Sequence, residues 1–143
     1  MGLDRASISK QNRDLLKKMG DDNVLGFELA ANKDIFLFLT ALGLDDPKEI
    51  QGGKDGYFLL KDLKASDRTL ISVALLGNAK NNDDVDRLSD FDEAVKFCEK
   101  CAETGLDRLK EKLEDADFDL DVLERRMLSE VDHMYMQMVE NDI

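Results

Sequence analysis

Apolar residues recur along this chain at steps of three and four, the spacing that lines one face of an α-helix. Ser9 is placed to cap a first helix reaching about Met19, with Leu15, Leu16 and Met19 as a narrow stripe and Gly20-Asp21-Asp22-Asn23 closing it. Asn32 reads as the N-cap of a second helix, in which Ile35, Phe36, Leu39 and Leu42 keep helical spacing and Gly43 takes the C′ position. Leu37 and Phe38 widen its apolar arc, so this helix is expected at the centre of the core. Residues 45–56 hold the only proline and three of the nine glycines and read as a loop. Tyr57-Phe58-Leu59-Leu60 suits a short extended segment, which needs a partner strand to form a sheet.

Ser66 suits the start of a third helix, whose Leu70, Ile71, Val73, Ala74 and Leu75 are almost wholly apolar and predict another core element ended by Gly77. A polar, acidic connection follows from Asn78 to Asp86, and Ser89 with Asp92 resembles a capping box. Phe91, Val95, Cys98, Ala102, Gly105, Leu109 and Leu113 then keep helical spacing over more than six turns. The outer face of that helix carries Lys96, Glu99, Lys100, Asp107, Lys110, Glu111 and Glu114. Gly105 interrupts it, which predicts close approach of a neighbour or a break between two helices. As a packing position it should resist Leu and accept Ala far better. A last helix begins near Asp119, where Leu120, Leu123, Met127, Val131, Met134 and Met138 form a seam under three heptads long. The pattern predicts an all-α domain of about five helices with at most one short extended segment or small hairpin.

The 143 residues fit a single domain spanning 1–143, with a basic N-terminal helix or arm at 1–22, a core at 30–125 and a C-terminal helix at 119–143. A 43% hydrophobic content is ordinary for a packed domain, so the 36% charged fraction does not argue disorder. No run of apolar residues is long enough to span a bilayer, and the polar start lacks the apolar stretch of a secretion signal. Two cysteines without an export signal predict free thiols and a cytoplasmic location.

The net charge of −12 repels phosphate backbones, so direct nucleic-acid binding by the body of the protein is not expected. The charge is uneven: residues 1–20 carry five basic side chains against two acidic ones. That segment either folds back on the acidic body or forms an arm that touches DNA, and the first is the commoner arrangement.

Catalytic and metal signatures fail one by one. Cys98 and Cys101 have the spacing of half a tetrahedral zinc site, but no further cysteine exists and His133 is the only histidine. Both thiols lie inside a predicted helix, which suits buried small residues better than a redox pair. Asp115, Asp117, Asp119 and Asp121 alternate as in a calcium loop, yet the required glycine and glutamate are replaced by Leu120 and Arg126. The glycines at 52, 53 and 56 are not followed by the Lys-Ser/Thr of a phosphate loop. No catalytic residue, metal or cofactor is expected.

The segment Asn32-Lys-Asp-Ile-Phe-Leu-Phe-Leu-Thr-Ala-Leu-Gly-Leu44, the apolar segment 57–63, Asp67-Arg-Thr-Leu-Ile-Ser-Val-Ala-Leu75 and Ala102-Glu-Thr-Gly-Leu-Asp-Arg-Leu-Lys-Glu-Lys-Leu113 together resemble the small Dnd-system-associated protein 4 family over about residues 30–125. The resemblance implies an accessory component of DNA-phosphorothioation and other anti-phage gene clusters, and it carries over no catalytic residue.

The functional expectation is a non-enzymatic accessory or adaptor subunit that binds another protein, or a second copy of itself. Four of the six methionines fall within residues 127–138, so Met127, Val131, Met134, Tyr135 and Met138 are the expected interaction residues. A reading from a different class is an acidic DNA mimic that occupies the basic groove of a nucleic-acid-binding protein.

Overall fold

The strongest periodicity folds as the longest helix, and it passes through Gly105 without a break. The computed structural model describes residues 3–77, 91–115, 121, 122, 124–129, 133 and 136, and of 76 and 77 the backbone only. In chain order the elements are β1 (Arg5–Ser9), α1 (Lys10–Asp21), α2 (Asn32–Leu42), β2 (Lys54–Leu59), α3 (Ala65–Gly77) and α4 (Phe91–Asp115), with 3₁₀ turns at Val24–Gly26 and Leu60–Asp62. Residues 121, 122, 124–129, 133 and 136 are helical as well. The chain is mostly helical and forms two compact units, Met1–Leu109 and Lys110–Ile143.

The extended segment finds its partner at the N-terminus. β1 pairs antiparallel with β2, Arg5 opposite Leu59 and Ser9 opposite Lys54, with a bulge between Ala6 and Ser7. The strand therefore begins three residues earlier than the apolar run, at Lys54, and Leu60 already belongs to the following turn. β1 was hidden because only Ala6 and Ile8 of its five residues are buried apolar positions, too few for a visible alternation.

Ser9 ends β1 and caps α1 at once: its Oγ accepts from the backbone N–H of Asn12 at 3.2 Å. The other two expected caps move. Ala31 precedes α2, and Asn32 is its first helical residue, with its side-chain amide donating to the Tyr57 carbonyl at 3.0 Å. At α3 the carboxylate of Asp67 accepts the Lys64 N–H at 2.9 Å, so Asp67 rather than Ser66 satisfies the helix start. Ser89 lies outside the described residues.

Phe36, Leu39, Ile71, Val95, Cys98, Cys101, Leu106 and Leu109 are fully buried and bring α2, α3 and α4 into one core. Phe36 meets Phe58 edge-on at 5.2 Å, which fixes β2 to α2. The contact between α2 and α4 is backbone on backbone. A Cβ on Gly105 would stand 1.8 Å from the Leu39 carbonyl oxygen, and one on Gly43 would stand 2.0 Å from that of Cys101. Gly43 thus ends α2 for want of room rather than for a left-handed backbone, its φ being −113°.

The segment after α2 is then pinned along α4. Arg108 donates to the Leu42 carbonyl at 2.7 Å and to Asp45 at 2.6 Å, Lys48 pairs with Asp107 at 2.6 Å, and Thr104 donates to the Asp46 carbonyl. α3 departs from expectation on one face: Leu70 and Val73 are 58% and 53% exposed, while Ile71 and Leu75 enter the core.

Candidate functional site

The expected interaction residues fall in the second unit. Met127 is helical and half-buried, and its neighbour Leu128 is 64% exposed. Met136 is 55% exposed, and His133 is an exposed helical residue. Val131, Met134, Tyr135 and Met138 lie outside the described residues. Within this unit Arg126 donates to the Asp115 carbonyl at 3.1 Å, which ties the helical segment to the end of α4.

The cysteines face different walls. The Cys98 thiol is directed at the Ile71 carbonyl at 3.9 Å and the Cys101 thiol at the Leu44 carbonyl at 4.0 Å. Burial, with smaller contributions from Cys101 and Glu99, pushes the Cys98 thiol up to about 12. Burial and then Asp45 raise Cys101 to about 11. Such thiols are almost entirely protonated at neutral pH and so are weak nucleophiles. Among the described residues no group of three His, Cys, Asp or Glu side chains could hold a metal ion.

Sequence reasoning missed an acidic ladder along α4. Glu99 and Glu103, expected or left unremarked on the outer side, are both buried. Glu99 accepts the Ser7 N–H at 2.7 Å and Lys54 Nζ at 3.0 Å. Glu103 accepts the Ser9 N–H at 3.0 Å and Asn12 Nδ2 at 2.6 Å. Asp92 accepts the Leu3 N–H at 3.0 Å. β1 thus bonds β2 on one edge and α4 carboxylates on the other. The match is metric: two residues of strand rise about 6.7 Å and four residues of helix about 6.0 Å. The available signal was the setting of Glu99 and Glu103 among Cys98, Cys101, Ala102, Thr104 and Gly105, a stretch too small and apolar for a solvated face.

A pocket of about 500 Å³ was equally invisible in the sequence. Arg13, Asp14, Leu16, Lys17 and Gly20 line it from α1, Phe27 from the following turn, Asn32 and Ile35 from α2, and Tyr57 from β2. The Arg13 guanidinium lies over the Tyr57 ring, 5.7 Å from its centroid. Its Nη1 is buried and has no hydrogen-bond partner. Burial pushes the Tyr57 hydroxyl up to about 12, with Arg13 pulling the other way.

No family model matches this chain, and no curated protein or solved structure matches it either.

Proposed function

We propose that the protein is a non-enzymatic accessory subunit that docks on a second, different protein through its C-terminal helical segment. The observation that carries this reading is the display of Leu128 and Met136 at more than half exposure, beside Met127. Apolar side chains held out on a helix are a common means of binding a partner. Charge argues for a heterologous partner over a second copy. Residues 110–143 hold eleven acidic side chains against four basic ones, a net of −7, so two copies facing one another would repel. A partner with a basic rim around an apolar cleft complements the segment. The resemblance over residues 30–125 adds the anti-phage setting to this proposal.

The test is affinity purification of the tagged full chain from its native host, beside the double variant Leu128→Glu/Met136→Glu. One protein recovered in stoichiometric amount by the wild type, and lost by a variant that melts at the same temperature, supports the reading. Equal recovery by both chains removes it. Repeating the capture at about 0.5 M salt separates the DNA-mimic alternative, whose grip on a basic groove should collapse when charges are screened.

A further inference from the structure

We infer that the pocket between α1, α2 and β2 is a binding site for a small organic carboxylate with an apolar body. Arg13 lines this pocket, and its Nη1 is buried without an acceptor. A buried guanidinium nitrogen without an acceptor is costly, since a lost hydrogen bond to a charged group is worth more than a neutral one. The chain has ample means to satisfy it: Arg5, Lys33, Lys48, Lys54, Lys100 and Arg108 all pair with carboxylates. Arg13 and Lys17, four residues apart on one face of α1, have no such partner among the described residues, although Asp14 lines the same pocket. The Arg13 side chain that carries this buried donor also lines the cavity, which places its charge for an acceptor that arrives with a ligand.

The lining decides the class. Leu16, Phe27 and Ile35 supply apolar surface, and about 500 Å³ lies within the range of roughly 300–1,000 Å³ usual for small-molecule sites. Arg13 and Lys17 bring two positive charges and Asp14 one negative, so a single negative charge on the ligand balances the lining. A carboxylate supplies that charge and fits the planar guanidinium fork. A phosphate ester, near two charges at neutral pH, would overshoot it in a protein already at −12. Gly20, where an added Cβ would meet nothing within 4 Å, leaves the α1 rim open to entry. The site uses only residues 13–57 and none of the C-terminal segment.

The experiment is a two-dimensional amide NMR titration of the full chain, following the Asn32 side-chain amide and the Arg13 Nε–H. The probes are phenylacetate, 4-phenylbutyrate and octanoate, with phenylacetamide as the neutral control and phenyl phosphate as the alternative anion. At least one carboxylate should give saturable shifts on these groups, with phenylacetamide weaker by about tenfold or more. Arg13→Gln should weaken that carboxylate by about 10- to 100-fold. Lys17→Gln, on the exposed rim, should weaken it by about threefold and keeps the test valid if Arg13→Gln fails to fold. No saturable shift from any of the three carboxylates up to about 10 mM overturns the site. Equal binding of acid and amide reduces it to an apolar cavity, and tighter binding of phenyl phosphate than of phenylacetate overturns the carboxylate assignment.

Discussion

Replacing Gly105 by alanine tests the central packing of the fold by its sign alone. On an exposed helix, Gly→Ala stabilises by about 1 kcal/mol, because alanine loses less backbone entropy on folding. Here the new methyl would stand 1.8 Å from the Leu39 oxygen, 2.7 Å from its carbonyl carbon and 3.1 Å from its Cα. All three are backbone atoms, so no side chain can swing aside. Bringing the closest contact into the ordinary range means parting α2 and α4 by roughly 1.5 Å, and a gap of even 0.5–1 Å forfeits a quarter to a half of each dispersion contact. Leu39, Leu106 and Leu109 would lose such contacts, and the bond from Arg108 to the Leu42 carbonyl would stretch. Overpacking at about 1–3 kcal/mol plus about 2 kcal/mol of lost contacts, less about 1 kcal/mol of helix propensity, leaves a destabilisation of ~2–4 kcal/mol. Chemical denaturation followed by far-UV circular dichroism measures it directly. A Gly105→Ala protein at or above wild-type stability would refute the backbone-on-backbone contact. Even alanine is therefore not accepted here as the packing reading from sequence expected, and leucine, which carries the same Cβ and three further carbons, should cost at least as much.

Three further outcomes follow from named contacts. Glu103→Ala leaves the buried Ser9 N–H and the Asn12 amide without acceptors and should cost ~2–4 kcal/mol in the same assay, with Glu103→Gln in between; a neutral alanine variant would mean that water replaces the carboxylate. Hydrogen bonds from Lys33 and from the Lys64 N–H hold Asp67 below its ordinary 3.8, so its contribution is complete above that value and lost as pH falls through the lowered one. The Tm gap between wild type and Asp67→Asn should accordingly stay constant from neutral pH to about pH 5 and close only below about pH 4; a gap that closes near neutrality would contradict the pairing. The thiols, raised to about 12 and about 11, should be inert to Ellman's reagent in the native protein at pH 8 and should both react in denaturant. Rapid native reaction of either would place it at the surface.

What the sequence by itself determined was local. Period located α1, α2, α3 and α4, because each carries its own apolar stripe, and the Ser9 cap fixed the start of α1. The importance of Gly105 was legible too, as a glycine inside an otherwise regular helix. The tertiary structure decided everything that depends on partners distant in sequence. β1 exists because Lys54–Leu59 pairs with one edge and Glu99 and Glu103 satisfy the other, 92 and 94 residues away from Ser7 and Ser9. The outward turn of Leu70 and Val73 depends on which side of α3 meets the core, something its nearly uniform apolar sequence does not encode. The Arg13 pocket takes its walls from three elements across residues 13–57, and no single one of them reads as a site. Local free energies are written in neighbouring residues; burial, strand pairing and the satisfaction of buried polar groups belong to chain segments that only the fold brings together.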